Sequence, residues 1–288
     1  MNAMDDFSVS VILPAAGAGT RFASGSTGSS FSSGISKIEL QLAGKPIFLH
    51  AVEAFIRRQD VGQVIVAVSP DKLDDFKFRW GDKLGFLGVK VVAGGETERW
   101  ETVLRSLEAV SEQATHVAVH DAARPLVSST LIDRVFDAAR RFPAVIPACD
   151  VGATLKRVEL DDSPTQQDPL GAILGLSDSA SSETRRVVET VDRRNLVAVQ
   201  TPQVFEVSLF RQAYRKLAEG DINPAGVTDD AQLIEALGET VRVVPGEPAN
   251  LKLTVPGDKE LIEALLAKRQ ESQAAELAKK RLFGDEDD

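Results

Sequence analysis

One stretch limits what this chain can become more than any other: Leu13-Pro14-Ala15-Ala16-Gly17-Ala18-Gly19-Thr20-Arg21. It continues Val9-Ser10-Val11-Ile12-Leu13, an apolar, β-branched run that reads as a buried first strand. At Pro14 the strand gives way to small residues that leave the backbone bare. Gly17 and Gly19 permit unusual dihedrals and close approach, so successive N–H groups can turn toward an anion. Arg21 adds a permanent forked charge at the end of the cradle. Strand, small-residue loop and arginine read as a polyphosphate site, with a plain tight turn as the alternative. Neither common glycine signature fits: no Lys-Ser/Thr follows at P-loop spacing, and the third glycine of a dinucleotide fingerprint is absent.

Further along, strands and helices alternate. Strands are expected at Val64–Val68, Val89–Ala93, His116–His120 and Ala144–Cys149, with helices carrying Ile47, Val52 and Phe55, then Val103 and Leu107, then Leu131 and Val135. The charged stretch after Pro70 reads as a helix loosened by Gly81, Gly85 and Gly88. This alternation implies an α/β fold with a Rossmann-like, mostly parallel sheet flanked by helices. Ligands of such sheets bind beyond the carboxyl ends of the strands. Three loops fall on that edge: the one after Leu13, Gly94-Gly95 before a helix, and His120-Asp121-Ala122-Ala123-Arg124-Pro125. The two glycines before a helix offer a second phosphate or nucleotide contact. A carboxylate at a strand end, Asp121, suits Mg²⁺ or a substrate hydroxyl, with a helix cap or a partner of Arg124 as the alternative. His50, on the first helix, reads as structural.

Composition narrows the function. A net charge of −10, from 33 basic and 43 acidic residues, argues against a nucleic-acid surface but not against a small anionic substrate. The one cysteine, Cys149, excludes an internal disulfide framework and reads as a buried strand thiol. No apolar run approaches a membrane span and no signal-peptide pattern is visible, so a cytoplasmic protein without membrane contact is expected.

The remaining segments complete a single domain with appendages. Residues 23–36, almost all Gly and Ser, read as a flap with little packing of its own. Residues 152–195 read as a β-hairpin arm, strands at Thr154–Val158 and Arg186–Val191 flanking a polar tip, with too little core to stand alone. After a helix at Glu206–Glu219, Thr228 is expected to cap a helix begun by Asp229-Asp230. Short strands are expected at Val241–Val244 and Asn250–Thr254, then a long helix opened by Pro256 and an acidic tail at 284–288.

Read in order, these motifs resemble the 2-C-methyl-D-erythritol 4-phosphate cytidylyltransferases, within the nucleotidyltransferase superfamily. The matching segments are P-A-A-G-A-G-T-R at 14–21, Lys37, G-G at 94–95, H-D-A-A-R-P at 120–125 and T-L-K-R at 154–157. T-V-D-R at 190–193, T-P-Q at 201–203, T-D-D-A at 228–231 and N-L-K-L-T at 250–254 complete a set spanning about residues 9 to 265. The resemblance implies transfer of CMP from CTP to the substrate's phosphate, with Mg²⁺, in non-mevalonate isoprenoid biosynthesis. It also implies a homodimer whose protruding arms cross into each other's sites. Arg21 and Lys37 match the family's transition-state stabilisers, while Arg193 and Lys252 match the residues that hold the acceptor phosphate. Pro14, Ala15, Ala16, Gly17, Gly19, Gly94, Gly95, Thr102 and Ala122 match nucleotide-binding positions. Asp121, Arg124, Thr154, Thr201 and Thr228 match acceptor-binding ones, Asp121 also being the candidate metal ligand.

The chain departs from the family pattern in places. Ser36 and Ile38 flank Lys37 where proline and glutamine are usual, extra Gly/Ser residues separate Arg21 from Lys37, and the segment after Gly95 is one residue longer. Two other readings stay open on sequence: a cytidylyltransferase for another polyol phosphate such as ribitol 5-phosphate, and a non-catalytic nucleotide-binding dimer.

Overall fold

The structure, a computed structural model, describes residues 7–17, 36–160 and 184–283. Gly19, Arg21, nearly all of the Gly/Ser tract, the arm tip at 161–183 and the acidic tail lie outside the described residues. In chain order the strands are β1 (Val9–Pro14), β2 (Gln41–Leu42), β3 (Lys45–Pro46), β4 (Val61–Val68), β5 (Val89–Ala93), β6 (His116–Val119) and β7 (Ala144–Asp150). They continue with β8 (Leu155–Leu160), β9 (Arg185–Val191), β10 (Val197–Val199), β11 (Gln203–Glu206) and β12 (Arg242–Pro245). The helices are α1 (Ile47–Ile56), α2 (Leu73–Phe86), α3 (Arg99–Leu107), α4 (Ser129–Ala139), α5 (Val207–Ala218), α6 (Ala231–Ala236) and α7 (Asp258–Phe283). A short 3-10 turn, Lys37–Glu39, precedes β2.

The chain divides into two units, a body (up to Ala148, and from Val199) and an arm (Cys149–Ala198). In the body the strands run β7-β11-β6-β1-β4-β5, with β12 beside β7. β1, β4, β5 and β6 are mutually parallel, as are β7 and β12, whereas β11 is antiparallel to both of its neighbours. The expected mostly parallel sheet is therefore present, with β11, in the segment that follows the arm, running reversed between β7 and β6.

Period-two alternation sends side chains to the two faces. Val9, Val11 and Leu13 of β1, with Val64, Val66 and Val68 of β4, pack against α1, α2 and α4 through Phe48, Phe55, Phe76 and Phe136. Ile12, Ile65, Val117 and Val119 face the opposite way, onto Val103 and Leu107 of α3 and Phe210 and Tyr214 of α5. Helices thus cover both faces, as continuous apolar strands require. A third, smaller cluster joins Leu42, Ile47, Ala123, Leu126 and Leu253 to Ile262 and Leu266 of α7. It lies under the loop that follows β6 and so holds the floor of the site in place.

Several local expectations are corrected. α2 runs unbroken through Gly81 and Gly85, because Phe76 and Leu84 dock on the core while both glycines sit where nothing crowds them. The helix stops only where Gly88 takes φ +70°, a left-handed conformation typical of helix ends. Asn250–Thr254 is not a strand; its link to the neighbouring loop is the Leu253 N–H donated to the Ala123 carbonyl (2.9 Å). Thr228 does not cap α6. Asp230 occupies that position with its side chain turned inward, and Asp229 accepts from the Gln232 N–H instead (3.1 Å). α7 begins at Asp258 rather than Pro256, and the Asp258 carboxylate accepts from the N–H groups of Thr254 and Val255 (2.7 and 2.8 Å). Cys149 is half-buried rather than buried. His50 reads as expected, with Nε2 bonded to the Leu42 carbonyl (2.9 Å).

In the arm, β8 and β9 form the expected antiparallel hairpin, from Leu155 opposite Val191 to Leu160 opposite Arg185. Exposed ion pairs Arg157–Glu189 (2.6 Å) and Arg186–Glu159 (2.9 Å) link the two strands, while Val158, Leu160, Val187 and Val188 are exposed. Among the described residues no helix is long and apolar enough to cross a membrane.

Candidate active site

Three loops leave the carboxyl edge of the sheet side by side. Main-chain bonds carry the pairing just past the strand ends: Ala15 N–H to Ala67 O (2.7 Å), Gly94 N–H to Val68 O (2.7 Å) and His120 N–H to Ile12 O (2.9 Å). With the Lys37 turn and the 252–254 segment they enclose a cavity of about 360 Å³, within the size range of small-ligand sites. Its walls include Pro14, Ala15, Ala16, Gly17, Lys37 and Gly95, together with Thr102, Asp121, Ala122 and Lys252. Residues far apart in sequence thus meet where the strand edge anticipated them.

The two sides of the cavity differ in chemistry. On one, Gly95 packs so closely on α3 that a Cβ there would stand 2.4 Å from the Glu101 Cβ, which explains the glycine. The Gly95 N–H is donated to the Thr102 hydroxyl (3.0 Å), and a Cβ on Gly94 would strike the Thr102 side chain. Glu101 reaches back to the N–H groups of Thr97 (3.2 Å) and Glu98 (3.3 Å), closing the first turn of α3.

On the other side Asp121 meets three cations. Its Oδ2 is 2.9 Å from Lys252 Nζ and 3.2 Å from Arg124 Nε, and its Oδ1 is 3.8 Å from Arg99 Nε. Burial pushes the carboxyl upward, but Lys252, Arg99 and Arg124 outweigh it and hold Asp121 well below the usual carboxylate range. Arg99 is in turn paired with the fully buried Asp230 (2.6 Å), which also accepts from the Tyr214 hydroxyl (2.5 Å). Burial opposes the charge on Arg99, yet Asp230 and Asp121 keep it firmly protonated; burial and Asp230 raise Tyr214 well above its ordinary value. The Gln203 amide oxygen accepts from the N–H groups of Asp230 and Ala231 (3.2 Å each), tying T-P-Q to T-D-D-A.

Behind Asp121 lies a directed hydrogen-bond chain. The Asp121 N–H is donated to the Thr201 hydroxyl (3.1 Å), which contacts His120 Nδ1 (3.0 Å), while His120 Nε2 faces the Arg124 carbonyl (3.1 Å). Burial pushes His120 down to about 4, so near neutrality the imidazole is uncharged. Its Nε2–H must donate to the carbonyl, leaving Nδ1 to accept from the Thr201 O–H, an assignment made from the partners. The Thr201 hydroxyl proton is therefore committed to His120.

Not every expected residue reaches the cavity. Thr201 and Arg124 stand behind its wall, Arg124 spanning Asp121 and the Asn250 carbonyl (2.7 Å). Thr228 is exposed and bonded to Gln232. Arg193 and Thr154 belong to the arm, where the Arg193 guanidinium bonds the Gly152 carbonyl. Arg99, Thr97, Glu98 and Thr254 line the cavity without having been singled out. Arg99 sits at the helix start that follows Gly94-Gly95, and its partner Asp230, 131 positions later, shows it to be an inward group.

As a metal ligand Asp121 does not fit. Both its oxygens face cations, and among the described residues no group of three His, Cys, Asp or Glu side chains could hold a metal. A hard divalent cation needs several oxygens.

The comparisons agree with this geometry. The profile of the 2-C-methyl-D-erythritol 4-phosphate cytidylyltransferases matches residues 9–168 and 165–268. A relative of that name from Rhodopirellula baltica is 37% identical over 270 residues, 90% of this chain and 95% of its own. Another, from Streptomyces coelicolor, is 36% identical over 90% of this chain and 85% of its own. The crystal structure of the Thermus thermophilus cytidylyltransferase superposes with a TM-score of 0.61 at 31% identity, covering 89% of this chain and 98% of that one. An Anaerococcus prevotii structure described as a 4-diphosphocytidyl-2C-methyl-D-erythritol synthase gives 0.67 at 26% identity, covering 93% and 100%. On sequence, fold and the converging loops alike, the chain belongs to the 2-C-methyl-D-erythritol 4-phosphate cytidylyltransferase family.

Proposed function

We propose that this protein transfers CMP from CTP to the phosphate of 2-C-methyl-D-erythritol 4-phosphate, releasing pyrophosphate and supplying the non-mevalonate isoprenoid route. A phosphate oxygen of the acceptor attacks the α-phosphorus of CTP; one P–O bond forms as the bond to the β-phosphate's bridging oxygen breaks, and pyrophosphate departs. The attacking oxygen is already anionic, so no general base is required. The obstacles are repulsion between two phosphates and the charge that builds on the α-phosphoryl and leaving oxygens, which positioned cations counter.

The observation that carries the reading is the meeting of the Ala15–Gly17 loop, Lys37 and Lys252 around one cavity. In it Lys37, with Arg21, stabilises the reacting phosphoryl group, and Lys252, with Arg193, holds the acceptor phosphate. The Gly95–Thr102 side takes the cytosine and Ala122 the ribose. Asp121 accepts from acceptor hydroxyls, its carboxylate kept ionised by its neighbours, while Thr201 and Arg124 fix it from behind. Mg²⁺ arrives as part of the nucleotide substrate rather than as a resident cofactor. Arg193 and Thr154 act from the arm of a second subunit, in a cytoplasmic homodimer.

The test is pyrophosphate release with CTP and Mg²⁺, offering methylerythritol phosphate and ribitol phosphate separately. Turnover is expected with methylerythritol phosphate. Turnover with ribitol phosphate alone would keep the chemistry and overturn the acceptor; CTP binding without turnover on either would overturn the enzyme.

A further inference from the structure

Lys37 sits in an unusual setting, and Glu39 two residues later is what fixes it. Glu39 is a carboxylate whose side chain is only 4% exposed. A charge so placed is costly unless it is paired and hydrogen-bonded. Its compensation comes from a separate element: Trp80 Nε1 of α2 donates to Oε1 (2.9 Å), and Arg79 stands 3.2 Å from Oε1 and 3.5 Å from Oε2. The Ser36 N–H also donates to Oε2 (3.3 Å), so the chain is gripped one residue before Lys37 and two after it. α2 is a firm support, because Trp80 packs edge-on against the core residue Phe48 (5.5 Å) and Arg79 is braced by Asp75 (2.7 Å). Lys37 itself crosses to the Leu253 carbonyl (3.4 Å), beside Lys252. The chain enters this turn straight from the Gly/Ser tract, whose composition offers no packing anchor of its own.

We infer that Glu39 is a positioning residue for the transfer reaction: through Trp80 and Arg79 it locks the Lys37 turn onto α2 and so sets where the Lys37 ammonium meets the triphosphate. This rests on the proposed role of Lys37 and adds a residue that never touches substrate. A flexible lysine gains its catalytic value from a defined origin, and displacement of that origin by about 1 Å is enough to cost up to 10²-fold in rate.

The experiment measures kcat, the KM of each substrate and thermal stability for Glu39→Ala, Glu39→Gln, Trp80→Phe and Lys37→Ala, plus the Lys37→Ala/Glu39→Ala double variant. Glu39→Ala is expected to lower kcat about tenfold with acceptor KM held within about twofold. Trp80→Phe, which keeps the ring against Phe48 and deletes one donor, should lower it about threefold, and Glu39→Gln should fall between wild type and Glu39→Ala. In the double variant Glu39→Ala should cost nothing beyond Lys37→Ala, because the two act as one unit. Loss of thermal stability with unchanged kcat in Glu39→Gln and Trp80→Phe would overturn the inference, as would full additivity in the double variant. If Lys37→Ala itself left kcat unchanged, the proposed role of Lys37 would fall, and this inference with it. If only Lys37→Ala lowered kcat, Glu39 alone would be refuted.

Discussion

Around Asp121, Lys252, Arg99 and Arg124 outnumber the two carboxylates they meet, Asp121 and Asp230, so this edge of the cavity is locally positive in a chain whose net charge is −10. Local arrangement therefore decides what binds, since a few groups at 3–4 Å outweigh distant charges screened over about 8–10 Å. Among the described residues Lys252 is the one of the three with no second polar partner beside Asp121: Arg99 is held by Asp230 and Arg124 by the Asn250 carbonyl. Lys252 can thus trade Asp121 for an incoming phosphate. Lys252→Ala is expected to lower kcat/KM for the acceptor about 10- to 100-fold, the loss of one charge-assisted hydrogen bond worth roughly 1.5–3 kcal/mol, with CTP affinity unchanged by calorimetry. An equal loss of CTP affinity would reverse the roles. Asp121 was legible in the sequence as a carboxylate at a strand end, and Lys37 and Lys252 through the family motifs they fall in. Arg99 and Glu39 were not, because their meaning lies in Asp230 and Trp80, partners 131 and 41 positions away.

At the scale of elements, the parallel strands were legible from their apolar runs, and the site followed from the rule that loops at the carboxyl edge converge. What misled was local composition read without its neighbours. The glycines of α2 argued for a loose segment, yet the docking of Phe76, Leu84 and Trp80 on the core decides the outcome, as tertiary packing does for most helices. Asn250–Thr254 alternates like a strand, but its side chains are claimed individually: Asn250 by Thr201, Leu253 by the cluster under the site, Lys252 by Asp121. A stability prediction follows for α2. An added Cβ at Gly81 comes no nearer than 3.8 Å to any neighbour and at Gly85 meets nothing within 4 Å. Gly81→Ala and Gly85→Ala should each stabilise the protein by about 0.5–1 kcal/mol in denaturant titrations. Gly88→Ala, forced to φ +70°, should instead destabilise by about 1 kcal/mol. Three losses of equal size would mean that helix propensity does not govern α2.

At the scale of the whole molecule, the residues assigned to the reaction are divided between two units. The body holds Lys37, Asp121 and Lys252, whereas Arg193 and Thr154 stand on an arm that forms its own unit. That arm leaves Val158, Leu160, Val187 and Val188 exposed on a two-stranded hairpin, a structure marginal by itself in water. Apolar surface of this kind calls for cover, and the two-fold homodimer proposed above is an arrangement that would supply it for both arms at once. In the crossed arrangement proposed here, each site combines the body of one chain with the arm of the other, which makes complementation decisive. A heterodimer of Lys252→Ala and Arg193→Ala chains then collects both lesions in one site and leaves the other intact. Random one-to-one mixing should return about a quarter of wild-type turnover, since half the dimers are mixed and half their sites are whole. If each arm served its own body, both sites of the mixed dimer would carry one lesion, and turnover would stay at the level of the inactive parents. Mixed dimers isolated with two affinity tags and assayed for pyrophosphate release distinguish the two, and activity confined to the parents' background would place Arg193 in the same chain's site.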